Sequence, residues 1–258
     1  MHKVANYLML ASVFSSLLLF ASANAYFNVT YLNTTAILYQ NTSAHVIESF
    51  TVFMSNSSIA QYNQDRRAIN LTLSEWQHAL STSLLMEHII NPRGSVHDVT
   101  FLPGPIGYTN NYGGTAIITL DYWVNNVTTV QNIAPREFEY TFNDSVLNFQ
   151  HTSSGEQLPT GARFNIIIPK GTDAISVYPS PDFPNPSFTG NYTGHELFSW
   201  FESEPLNKFT FSYIQQQSME AEVVAYFNGI YYGYTLEIYA VLAVVVIALG
   251  TYAYTKLK

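Results

Sequence analysis

Seven histidines, 18 acidic residues and no cysteine are the groups available for acid–base or metal chemistry. Without cysteine there is no disulfide framework, no thiolate ligand and no thiol nucleophile. His45 and Glu48 stand three apart in an expected strand, where odd separations place side chains on opposite faces, so they cannot hold one ion. His78 and His88 share a stripe of an expected helix, yet ten residues at ~1.5 Å rise put them about 15 Å apart. His97 and Asp98 are strand neighbours and diverge. Glu137 with Glu139, Glu202 with Glu204, and Glu220 with Glu222 each fall two apart, so each pair shares a strand face. Paired acids do the work of glycoside hydrolysis, but three such pairs in an acidic chain read as solvated faces. The sequence contains no His-Glu-x-x-His, calcium loop, Gly-rich phosphate cradle or Gly-x-Ser-x-Gly. No catalytic residue, metal ligand or cofactor site is assigned.

Asparagine offers a clearer chemistry. The sequon Asn-x-Ser/Thr, with x not proline, occurs at Asn28, Asn33, Asn41, Asn56, Asn70, Asn126, Asn143 and Asn191. Each is an acceptor for N-linked sugar once the segment reaches the exported side. Asn28, Asn33 and Asn41, nearest the start of the exported part, are expected to be modified most readily. Among the aromatic residues, Trp76 belongs to a helical apolar stripe and Trp123 to the polar face of a strand. Phe198, Trp200 and Phe201 cluster: a core without cysteine needs such rings, and as the alternative, exposed, they would form an interaction patch that stacks on sugars or on a partner.

Both ends of the chain point to export. Met1-His2-Lys3, the apolar run Tyr7 to Phe20 and Ala23-Asn24-Ala25 are the three parts of a secretory signal over residues 1–25. Residues 234–254 contain an uncharged run from Ile238 to Gly250, and about 20 apolar residues cross a bilayer as a helix. Tyrosines flank this segment on both sides, and Lys256 and Lys258 follow in the tail 255–258, which places the tail inside the cell. The expected order is signal peptide 1–25, extracellular β-rich domain 26–215, membrane-proximal segment 216–233, transmembrane helix 234–254 and cytoplasmic tail.

Ten basic against 18 acidic residues give a formal charge of −8, which repels nucleic acid and excludes it as a partner. Charged residues make up only 11% of the chain, so polarity rests on Asn, Ser, Thr, Gln and Tyr. Such a surface depends little on ionisation and points to an acidic exterior. The 17 Phe and 19 Tyr supply a core that has no disulfides to support it.

Period-two alternation from Thr115 to Asn125 marks a half-buried strand, with a turn at Gly113-Gly114. Similar runs occur at Ala36–Tyr39, Val46–Met54, Val96–Leu102, Phe138–Phe142, Arg163–Ile168, Ala174–Tyr178 and Lys208–Ile214. Pro103-Gly104-Pro105, Pro159-Thr160-Gly161, Pro169-Lys170-Gly171 and the stretch Pro179 to Pro186 punctuate them as turns or loops. Thr72-Leu73-Ser74-Glu75 is a capping box, and Leu73, Trp76, Leu80, Leu84 and Ile89 follow at helical spacing up to Asn91-Pro92. The fold class is α+β and β-rich: an antiparallel sheet or sandwich with one amphipathic helix, plus the C-terminal transmembrane helix.

Leu158-Pro159-Thr160-Gly161-Ala162, Ile166-Ile167-Ile168-Pro169-Lys170-Gly171 and Ser176-Val177-Tyr178-Pro179-Ser180-Pro181-Asp182 resemble a pattern in archaeal single-pass membrane-anchored ectodomain proteins. The resemblance implies location and architecture and supplies no catalytic residues. The function expected is a glycosylated cell-surface protein with a structural or interaction role in the envelope. Its partners would be the membrane, other envelope or surface-layer proteins, or a second copy. The rival readings are an extracytoplasmic hydrolase and a ligand-binding sensor acting through a membrane partner.

Overall fold

The structure is a computed structural model, and it describes residues 27–68, 71–79, 84–91, 96–153, 155–184, 192–202, 204–217 and 223. The signal peptide, the transmembrane segment 234–254, the tail, Leu80, Asn70, Asn191, Glu220 and Glu222 lie outside the described residues. Among the described residues no helix is long and apolar enough to cross a membrane.

In chain order the elements are β1 (Phe27–Leu38), β2 (Ala44–Ser55), α1 (Ile59–Arg67), α2 (Leu73–Ala79), β3 (Val96–Thr109), β4 (Gly113–Val124), β5 (Thr128–Ala134) and β6 (Glu137–Phe142). There follow β7 (Gln150–Thr152), β8 (Gly155–Gln157), β9 (Ala162–Ile167), β10 (Thr172–Tyr178), β11 (Leu197–Phe201) and β12 (Thr210–Gln216). The fold is therefore α+β and rich in strand. A six-stranded sheet runs β11-β9-β1-β2-β4-β3, a four-stranded sheet runs β10-β12-β6-β5, and β7 pairs with β8. All pairings are antiparallel except β1 with β9, which makes the larger sheet mixed.

Alternation positions the core. Val46, Phe50, Val52 and Met54 of β2 and Ala116, Ile118, Leu120 and Tyr122 of β4 all turn inward. The two sheets meet across a layer of rings in which Phe164 stacks on Trp200 at 5.6 Å. Phe198 meets Phe211 at 5.0 Å and Phe142 meets Phe164 at 6.4 Å. Phe198 and Trp200 are two apart in β11, so both face this layer and both are 0% exposed. This favours the core reading of the cluster and rules out an exposed patch that includes Phe198 and Trp200. Only Phe201, one residue out of phase and 40% exposed, reaches solvent, with the Arg163 guanidinium 4.8 Å from its ring centre.

Three local expectations also change. Pro103-Gly104-Pro105 lies inside β3 rather than in a turn. β3 is the sheet edge and is bulged between Pro103 and Ile106, so missing N–H donors are tolerated there. Gly113 and Gly114 open β4, and the turn before them is held by Asn110 Oδ1, which accepts from Tyr112 N and Gly113 N. The α2 capping box forms as read: Thr72 N–H donates to Glu75 Oε2 at 2.6 Å, and Glu75 N–H to Thr72 Oγ1 at 3.3 Å. The helical stripe does not reach Ile89, because Leu84 is 46% exposed and Leu85 buried. The amides of His88, Ile89 and Ile90 donate to Glu48, to the Tyr122 hydroxyl and to Val146 O, so no helical carbonyl can receive them.

The helix the sequence did not announce is α1. It turns only Tyr62 and Asp65 inward, too few for an apolar stripe. Tyr62 packs edge-on against Trp76 at 5.6 Å, and Trp76 lies 5.6 Å from Phe101 of β3.

Candidate functional site

Glu48 is the one acid on the inward row of β2, and its side chain is fully buried. A carboxyl group buried in this way must find hydrogen-bond partners. Glu48 Oε1 accepts from His88 N–H at 2.7 Å and from the Tyr122 hydroxyl at 2.5 Å, and Oε2 lies 2.7 Å from His88 Nδ1. Ile89 N–H donates to the Tyr122 oxygen at 3.1 Å. Burial, followed by the neighbouring Glu48 charge, holds the Tyr122 hydroxyl well above its ordinary pKa, so it remains a donor. The His88 ring lies against Phe149 at 5.1 Å and Phe50 at 6.0 Å.

This acid–imidazole–phenol cluster has the form of a general-base dyad, but it lacks room. The cleft that His88 lines with Leu32, Thr160 and Gly161 has a volume of about 40 Å³. Small-molecule sites run to roughly 300–1,000 Å³, so this one accommodates water and not a substrate. Among the described residues, two larger grooves are open. One of about 460 Å³ is lined by Gln40, Val130, Phe138, Tyr140 and the glutamines of 215–217. The other, of about 390 Å³, lies along the bulged β3 edge between Gly104, Pro105, Thr51 and Ile117. Both are lined by uncharged side chains. Among the described residues, the larger grooves and the Glu48–His88–Tyr122 cluster thus sit in different places.

The other sequence candidates scatter. His45 and Glu48 do face opposite ways: His45 Nε2 meets Asp121 Oδ1 at 2.7 Å on the outer face of the large sheet. His45 stacks on Trp123 at 4.8 Å, and Trp123 meets Tyr39 at 5.1 Å. His97 and Asp98, expected to diverge, are in contact at 2.9 Å. Asp98 has φ 55° in a bulge, which breaks the alternation. His78 is exposed on α2 while His88 is buried in a non-helical segment, so the two do not share a helical stripe. Glu137 bonds to Gln216 Nε2 at 3.1 Å, and Glu202 accepts from Gly161 N–H at 2.5 Å. Among the described residues, no three His, Asp or Glu side chains gather closely enough to hold a metal ion.

Of the sequon asparagines, Asn28, Asn41, Asn56 and Asn126 are exposed. Asn33 and Asn143 are half-buried and engaged. Asn33 Oδ1 accepts from Asn165 Nδ2 at 2.8 Å, in the middle of β1 between β2 and β9. Asn143 caps a short 3-10 turn through Ser145 N–H. Asn33 is thus part of a sheet, not a loose start, which corrects its ranking among the most accessible sites.

No family model and no curated protein matches this chain. Among solved structures, the folded domain of LppM from Mycobacterium tuberculosis aligns over 77% of this chain and 97% of its own, at 10% identity and a TM-score of 0.25.

Proposed function

We propose that this chain is a membrane-anchored, glycosylated cell-surface protein whose β-rich ectodomain works by contact with other envelope proteins or with a second copy of itself. The observation that carries the reading is the distribution of sequons. Four of the six described acceptor asparagines are exposed, on turns and strand ends rather than in the ring layer. The apolar run before Lys256 and Lys258 supports an anchor at residues 234–254 with the tail inside. The uncharged grooves support contact over catalysis.

Two measurements test it on the full chain in membranes. Peptide mass spectrometry should find sugar on Asn28, Asn41, Asn56 and Asn126 in preference to Asn33 and Asn143. A tag after Lys258 should resist protease added to intact cells, while the domain is cut. Bare asparagines at every sequon, or a tag that is digested first, would overturn the proposal.

A further inference from the structure

The turn between β1 and β2 has a defined geometry. Tyr39 N–H donates to Ser43 O at 3.0 Å, Thr42 N–H donates to Tyr39 O at 3.2 Å, and Thr42 has φ 66°. This is a three-residue hairpin loop that ends on a left-handed residue. Asn41 sits on it two residues after Tyr39 and two before Ser43, the partner of Tyr39 across the loop. Asn41 Oδ1 accepts from Ser43 N–H at 3.2 Å and from Ser43 Oγ at 2.6 Å. The oxygen of the carboxamide is therefore fixed toward Ser43, and Nδ2, the atom that bears an N-linked sugar, points the other way.

Beside the turn stands a ring stack that no core requirement explains. Tyr39 is 39% exposed, packs at 5.1 Å on Trp123, and Trp123 packs at 4.8 Å on His45, which Asp121 holds by its Nε2. The stack fixes the Tyr39 ring and leaves part of it bare. A pyranose has a C–H face that is apolar and carries partial positive charge, the complement of the electron-rich face of an aromatic ring. Covering both removes apolar surface from water.

We infer that the first sugar of a glycan on Asn41 lies on the Tyr39 ring, so that this glycan is a packed part of the domain and fastens the β1–β2 turn. The inference rests on the glycosylated surface proposed above. A sugar tethered two residues away meets the ring at high effective concentration, so a contact too weak for a free saccharide suffices here. Asn56 and Asn126 are internal controls. The residues two before them are Met54 and Val124, both fully buried, so neither site has an exposed ring at that spacing.

The experiment compares the full chain from a glycosylating host before and after enzymatic removal of N-glycans, in wild type, Tyr39→Phe and Tyr39→Thr, with site occupancy read by mass spectrometry. Deglycosylation should lower Tm by about 2–4 °C more in wild type and Tyr39→Phe than in Tyr39→Thr. Equal losses in all three, or a bare Asn41 beside occupied Asn56 and Asn126, overturns the stacking and leaves the surface reading standing. Sugar at no sequon overturns both.

Discussion

Glu48 carries three hydrogen bonds at a position that alternation alone would give to an aliphatic side chain. Removing Glu48 strands the His88 amide and the Tyr122 hydroxyl without their buried acceptor, so Glu48→Ala should cost about 2–6 kcal/mol in urea unfolding, ~1–3 kcal/mol for each stranded donor. Replacing both side chains, Glu48→Leu with His88→Leu, should recover only part of that loss, because the residue 88 amide and the Tyr122 hydroxyl still lack an acceptor. A double variant no more stable than Glu48→Ala would mean that the cluster does more than hold segment 84–91 to β2 and β4. The inward direction of Glu48 was legible in the sequence, from its phase with Val46 and Phe50. Its partner was not. His88 arrives from a non-helical segment whose path depends on amides bonding to β2, β4 and residue 146, and no local pattern encodes that.

The two short helices are the elements where local and tertiary signals part. The capping box specifies the start of α2, since both of its reciprocal bonds use residues three apart. Its end is set by packing, and the burial of Trp76 between Tyr62 and Phe101 is what holds it. Trp76→Ala should therefore cost about 3–5 kcal/mol, and Thr72→Ala about 0.5–2 kcal/mol, by thermal or denaturant melts. Equal effects would mean that the cap, not the ring, secures the helix. At the entry to β9, Gly161 has φ 76°, and an added Cβ would lie 2.7 Å from Thr30 O. Gly161→Ala should cost at least about 1–3 kcal/mol in the same melts, and a neutral outcome would show that β1 and β9 can shift apart there. Strands β2 and β4 were legible because one face is wet. β5 was not, since all but its ends are exposed and no period appears. β11 was only partly legible because a run of rings gives no clue to which of them face in.

Across the whole molecule the ionisable groups set a direction with pH. Burial raises the carboxyl pKa of Asp65, Glu156 and Glu204 above the ordinary range, with a nearby Asp182 adding to Glu204. A carboxyl whose folded pKa exceeds its unfolded value binds its proton more tightly in the folded state, so stability rises as pH falls through that window. Glu75 has the opposite sign: the Thr72 N–H and then the Thr72 hydroxyl lower its pKa, and its contribution disappears below the usual carboxylate range. Tm should thus rise as pH falls from neutrality toward the ordinary carboxylate range, with Glu75 opposing that trend only below it. A Tm that drops steadily from neutrality would contradict the balance. The β-rich α+β class was legible from strand and turn spacing, but the number of sheets and their strand order were not, because their pairings join distant parts of the chain. The parallel seam links Leu32 of β1 to Ala162 of β9, a separation of 162 − 32 = 130 residues. During synthesis β1 pairs with β2 at once, yet its other edge waits for β9. At ~5–20 residues per second that wait is on the order of 10 s. For that interval the nascent chain presents an open strand edge, a template for pairing with other chains. Translation speed before residue 162 should therefore affect yield independently of the stability of the finished protein. Synonymous codons that slow this stretch should increase aggregation without altering a single side chain.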